Sequence, residues 1–276
     1  MGGQDERPAL VFACSPVDVD GAPLYRLYRL LPHGAEQLSS EPAQDPAVAP
    51  TGSLLAFDST SAGAPNIYVS GIGGSSPREV MSAPGGQTEP AWSPNGSKLA
   101  YVSGQRGLHA PVGVSDTFGG VFIGSSGGSG GHPITSEDSY AGQPAWAPRG
   151  ERIAYATDGN GNFQVATVAP DGTDATVLTG DGQSEWPTWS PTGGQIAYQW
   201  SSTLGGEDWI WIMDANGTHA HRLTWGSRPS WSPDGKWIAF VRKTAQGSDL
   251  WMISPHGGHA VRITDDAGLK GRPSWA

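Results

Sequence analysis

One cysteine, Cys14, stands in 276 residues, so an intramolecular disulfide and a Cys-rich metal site are both excluded. No apolar run approaches the ~18 residues that a membrane-spanning helix requires, so no membrane insertion is expected. Basic residues are few: 16 Lys and Arg against 26 Asp and Glu leave a net charge of −10. That balance argues against nucleic acid or an anionic membrane surface as partner. Helical signal is missing too. No stretch free of Gly and Pro carries a convincing 3.6-residue period, and almost no helix is expected. The opening Met1–Pro8 is polar and has no secretory character.

What is abundant is turn formers, 41 Gly and 23 Pro, and 12 Trp. They fall at fixed places. Arg228–Phe240 reads RPSWSPDGKWIAF: an apolar patch ending at Trp231, a Pro-Asp-Gly turn, then a β-rich run. Glu89–Tyr101, Gln143–Tyr155 and Trp186–Tyr198 repeat it, and Asp45–Phe57 is a weaker copy with Val48 in the tryptophan place. The chain ends on RPSWA with Trp275 in that place. Val48, Trp92, Trp146, Trp189, Trp231 and Trp275 are 44, 54, 43, 42 and 44 residues apart. A period in the low forties with four short strands per unit is what a propeller blade requires.

The x-P-x-W-S-P-D-G-x-x-I-A-F unit resembles the TolB-type propeller repeat, also called PD40 or WD40-like, from about Pro8 to Trp275. No counterpart of the α/β domain that precedes the propeller in TolB is visible in these residues. The resemblance implies an all-β fold and a periplasmic or extracellular setting; the MGGQDERP start is equally compatible with the cytoplasm. Ala9–Ala13 matches the I-A-F strand but lacks an inner strand before it, whereas Pro273–Trp275 is an inner strand with no blade after it. Each completes the other. The expectation is one domain over residues 1–276: six blades of four antiparallel strands, closed by pairing of the terminal strands, and monomeric.

Function belongs to the loops of such a scaffold rather than to the scaffold itself. The residue before each repeat's first proline should line one mouth of the central channel: Asp45, Glu89, Gln143, Trp186, Arg228 and Arg272. Acidic and basic arcs of this kind suit a dipolar ligand such as an extended peptide. The bland alternative is that these side chains pair with one another across the opening. Trp186 and Trp225 are candidate contact aromatics, whereas Trp200 is expected to cap a blade. His109 lies in a loop between Tyr101 and Val121 that is about ten residues longer than its equivalent in the last blade. It alone of the histidines can reach the mouth.

Other motifs carry less. His219/His221 and His256/His259 have metal-like spacing but fall in outer turns. Two G-x-S-x-G matches within Gly124–Gly131 sit in a Gly/Ser hairpin, not in the strand-to-helix turn that a nucleophile requires. Ala156–Phe163 offers Asp158, Asn160 and Asn162 in a calcium-like spacing without the closing Glu, and the family uses this loop as a plain turn. No cofactor or metal is expected. The leading reading is a non-catalytic scaffold for a peptide or protein. The alternatives are a carbohydrate-active enzyme (polysaccharide lyase or glycosidase) with Trp186 and Trp225 as sugar platforms and Glu89 or Glu185 as catalyst, and a structural module.

Overall fold

The computed structural model describes residues 9–16, 23–104, 119–136, 140–158 and 161–276. They form six sheets of four antiparallel strands arranged as the blades of a ring, with no helix among the described residues. Blades 2 to 6 are each continuous in sequence. Their inner strands are Gln44–Val48, Gln87–Trp92, Ala141–Trp146, Gln183–Trp189 and Ser227–Trp231.

Blade 1 is built from both ends of the chain. Its inner strand is Leu269–Trp275, paired antiparallel with Leu10–Ser15; Leu10 faces Trp275, Val11 faces Ser274 and Phe12 faces Pro273. The expected closure is therefore present and extends further, to Ser15 opposite Leu269. Its third strand starts at Arg26 rather than Leu24, and its fourth is Gly34–Gln37.

The second strands explain why the sequence there is apolar without alternation. In LVFAC, Leu10 and Phe12 pack with Ala239, Val241 and Leu250 of blade 6, while Val11 and Ala13 pack with Leu55 and Phe57 of blade 2. A strand buried on both faces has no solvent side to keep polar.

Each S-P-x-G turn between first and second strands works alike. In blade 6 the Gly235 N–H donates to Ser232 O at 2.9 Å, with Gly235 at φ +72°. Ser232 Oγ donates to Asp234 Oδ1 at 2.6 Å and accepts from Trp237 N–H at 3.0 Å. Proline presets the turn, and glycine takes the left-handed residue that re-enters the strand.

In blades 1, 3, 4 and 6 the Ser or Thr that closes the unit also has a physical role. The hydroxyls of Ser39, Thr135, Thr179 and Thr264 accept the backbone N–H of Leu27, Val121, Val165 and Leu250. A side chain thus replaces the last rung of the outer ladder and ends the fourth strand. This is why that strand is as short as Val261–Arg262 in blade 6.

Candidate functional site

Every inner strand carries a bulge at the residue before its proline. The pairing jumps from Gln44 to Ala47, Thr88 to Ala91, Gly142 to Ala145, Glu185 to Thr188 and Ser227 to Ser230. In blades 2 to 6 the residue before the proline is left-handed: Asp45 at φ +43°, Glu89 at +56°, Gln143 at +55°, Trp186 and Arg228 at +53°. Non-glycine residues rarely adopt this region, and it costs on the order of 1–2 kcal/mol each. Arg272 occupies the corresponding bulge of blade 1. The six expected mouth residues thus hold equivalent positions around one ring, at the end where the strand 2–3 and blade-to-blade connections emerge.

The kinked backbone leaves an amide that needs an acceptor, and the preceding blade supplies it. Gln143 N–H donates to Glu89 Oε2 and Trp186 N–H donates to Gln143 Oε1, both at 2.6 Å. Glu89 N–H donates to Asp58 Oδ1 and Arg228 N–H donates to Gln199 Oε1, both at 3.3 Å. Asp58 and Gln199 were not visible as site residues in the sequence. The available signal was a polar residue directly after the aromatic of the I-A-F strand, where other blades have Ala or Val.

Charge is arranged within this frame. The guanidinium of Arg228 lies 5.1 Å and that of Arg272 5.9 Å from the Trp186 ring. Both cations therefore gather on one indole. Arg272 is further influenced by Asp45 and Glu89, which oppose the depression that burial imposes on its pKa. On the other arc, Gln143 bridges two carboxylates, with its Nε2 donating to Glu185 Oε1 at 3.2 Å. Burial, and secondarily Asp45, pushes the Glu89 carboxyl up to about 7. Burial also raises Glu185. Tyr140 is held well above its ordinary range by burial and by Glu89, Glu185 and Asp45. Gly142 leaves room for this cluster: a Cβ there would collide with the Tyr140 hydroxyl and come within 3.2 Å of Glu89 Oε2.

The channel's other end is different. Trp146, Trp189 and Trp275 with Pro50, Pro148 and Pro191 line a funnel of about 420 Å³, which Arg272 and Ser274 also reach. Of the repeat tryptophans, Trp92, Trp231 and Trp275 are buried and Trp146 and Trp189 half-buried, as expected.

The pattern of the TolB β-propeller domain, PD40, matches residues 36–227. The chain belongs to the TolB β-propeller family. Among solved structures, this TolB-type propeller is similar to TolB from Acinetobacter baumannii, with a TM-score of 0.81 and 19% identity. That match covers 98% of this chain and 66% of the other, so the chain spans just under two thirds of that TolB's length. A putative TolB from Agrobacterium tumefaciens gives 0.72 at 19%, covering 96% and 91%. An oligogalacturonate lyase in complex with manganese gives 0.63 at 16%, covering 87% and 70%. At such identities the likeness is one of fold alone.

Several expected features lie elsewhere in the TolB-type ring. Trp225 is not brought into the mouth; it ends the fourth strand of blade 5 and lines a separate pocket. Trp200 packs on Trp211 at 5.4 Å and donates to Asp181 O, as a cap should. Trp209 lines the same pocket between blades 5 and 6, with the Arg222 guanidinium over its ring. His109 and most of its loop lie outside the described residues, as does Asn160. Asp158 Oδ1 accepts Gly161 N–H at 2.7 Å and Asn162 Oδ1 accepts from Gln183 Nε2 at 2.7 Å, both as turn contacts. His219 pairs with Asp214 at 2.6 Å on the exposed outer turn. Among the described residues no group of three or more His, Cys, Asp or Glu has metal-binding geometry.

The raised Glu89 carboxyl makes stability depend on pH. With a folded value of about 7 against an ordinary 4.5, the folded chain keeps a proton that the unfolded chain has released in that window. This contribution is complete below pH 4.5 and is lost as pH rises through 7. Glu89→Gln keeps an acceptor for the Gln143 amide and removes the titration. We expect the variant to gain on the order of 1–2 kcal/mol on the parent between pH 4.5 and 8. Urea midpoints across that range measure it, and parallel curves for parent and variant would refute it.

Proposed function

We propose that this TolB-type propeller is a non-catalytic binding module that takes an extended peptide or protein tail at its polar mouth. The observation that carries the reading is the division of the ring. Arg228 and Arg272 converge on Trp186, and Glu89, Gln143 and Glu185 form a linked cluster beside them. A carboxylate of the ligand meets Arg228, whose planar fork matches two oxygens. An apolar stem lies against Trp186, and a basic group meets Asp45 and the carboxylate cluster. A periplasmic or extracellular setting, in keeping with the family, belongs to the same proposal.

Arg272 is enclosed beside Asp45 and Glu89, so reversing its charge disturbs the fold as well as the site. The clean variant is Arg228→Glu. Selection from a displayed library of peptides with free C-terminal carboxylates, followed by titration, should give binders that lose well over tenfold in affinity with Arg228→Glu and with Trp186→Ala. Thermal melts of both variants should match the parent. Binders that ignore both substitutions would refute the reading.

One observation favours a second reading as a carbohydrate-active enzyme. Glu89 and Glu185 are two carboxyls joined through one glutamine, and both are held in the proton-carrying direction. Glycoside cleavage uses a pair of carboxyls with a raised one as general acid, and Glu89, raised to about 7, is the candidate acid of this pair. Turnover of any oligosaccharide that Glu89→Gln abolishes would replace the binding reading with this one.

A further inference from the structure

A cavity of about 630 Å³ opens at the seam of blades 5 and 6, on the same face as the mouth but outboard of it. Its walls include Trp209, Trp225, Glu207, Asp208 and Lys243, with Gly226 in the crossover that forms the floor. Trp225 is 46% exposed, a large apolar surface that the fold itself does not use.

The indoles here are fixed in place. The Arg242 guanidinium lies 4.3 Å from the Trp225 ring and 4.5 Å from Trp251, and it donates to Trp225 O at 3.1 Å and Thr224 Oγ1 at 2.8 Å. Arg242 is itself buried. Trp209 carries the Arg222 guanidinium at 4.3 Å. Gly226, at φ +143°, runs so close to Phe240 that a Cβ would stand 2.5 Å from its ring. Only glycine fits at this connection, and the residue before it, Trp225, is held by Arg242 at both its ring and its carbonyl. A contact surface whose rotamer is already locked loses little entropy on binding.

The charge pattern selects the ligand. Arg222 and Arg242 stand against the two indoles and Lys243 stands in the wall, so the pocket offers no excess of negative charge to draw in a cationic ligand. Asp208 already faces Lys243 at 3.7 Å and accepts from Gln199 Nε2 at 3.0 Å. Glu207 beside it opposes an anion. What remains is a neutral molecule with one apolar face and a hydroxyl-rich edge. Its C–H groups would lie on Trp225 and its hydroxyls would reach Glu207, Asp208 and Lys243. We infer that this seam pocket binds a neutral pyranose sugar unit, independently of the channel mouth.

A panel of neutral methyl hexopyranosides and their disaccharides, titrated by calorimetry and by saturation-transfer NMR, tests this. At least one should bind saturably, with its ring protons taking the saturation. Trp225→Ala should weaken it at least tenfold, Trp225→Phe less, and Glu207→Gln by a few-fold. Arg228→Glu should leave it unchanged, which keeps this result separate from the fate of the peptide site. Thermal melts check that the exposed substitution leaves the fold intact. The inference is overturned if no glycoside gives a Trp225-dependent signal, or if tetramethylammonium or methylated lysine binds there in place of the sugars.

Discussion

Removing the last five residues, Arg272–Ala276, abolishes the cooperative thermal transition and drives the protein to aggregate. The segment contributes the pairs Leu10–Trp275, Val11–Ser274 and Phe12–Pro273, and the bond from Ala276 N–H to Ala9 O at 2.7 Å. Without it, Leu10, Val11 and Phe12 of the buried second strand lose their inner partners and become a bare sheet edge, while Cys14–Lys270 and Ser15–Leu269 remain paired. Trp275 goes as well, and with it the bond from its Nε1 to Ser230 O at 2.9 Å, which ties blade 1 to blade 6. A ring buries each blade against two neighbours, so opening one seam leaves two terminal blades each with an uncovered face. Scanning calorimetry reads the outcome. A truncated chain that melts like the parent would mean that the terminal pairing is dispensable.

Trp92→Ala costs about 3–5 kcal/mol, and Trp146→Ala distinctly less. Trp92 is buried among Ile67, Val69, Leu99 and Tyr101, and its Nε1 donates to Ala47 O of the blade before at 2.9 Å. Its loss opens a cavity at a seam and leaves a carbonyl without its partner. Trp146 holds the same repeat position but is half-buried, and its Nε1 has no partner among the described residues. Trp92→Phe separates the two terms: it keeps most of the packing and should lose about 1 kcal/mol for the hydrogen bond. Chemical denaturation of the three variants gives the order. Equal losses at 92 and 146 would show that the seam bond contributes nothing.

The fold was legible because its signal is redundant. Five spaced copies of one motif, each with a turn that only Pro and Gly satisfy, leave no other architecture. The six ring residues were legible for a related reason, since a residue fixed by its place before a proline needs no side-chain information to be located. The acceptors that support them were not. Asp58 and Gln199 lie in strands and serve an amide in the next blade, so their partners are 31 and 29 residues away. No local pattern encodes that separation. Trp225 was grouped with the mouth because loop tryptophans look alike in a sequence. The fourth strand carries it away from the channel, where Arg242, from the next blade, lies against its ring.

The amide relay also sets a grammar for how such a ring can be rewritten. An indole cannot accept a hydrogen bond, so a blade that displays tryptophan at the mouth must recruit an acceptor from elsewhere for the next blade's kinked amide. Blade 5 does so with Gln199, whereas blades 3 and 4 use the displayed Glu89 and Gln143 themselves. Display at the mouth and support of the next amide are thus separate duties in blades 2 and 5, which use Asp58 and Gln199, and a single duty in blades 3 and 4. Trp186 and Gln199 form one instruction spelled at two places: with Gln199 kept, position 186 accepts a wide vocabulary, while positions 89 and 143 are restricted to residues that can receive a proton donor.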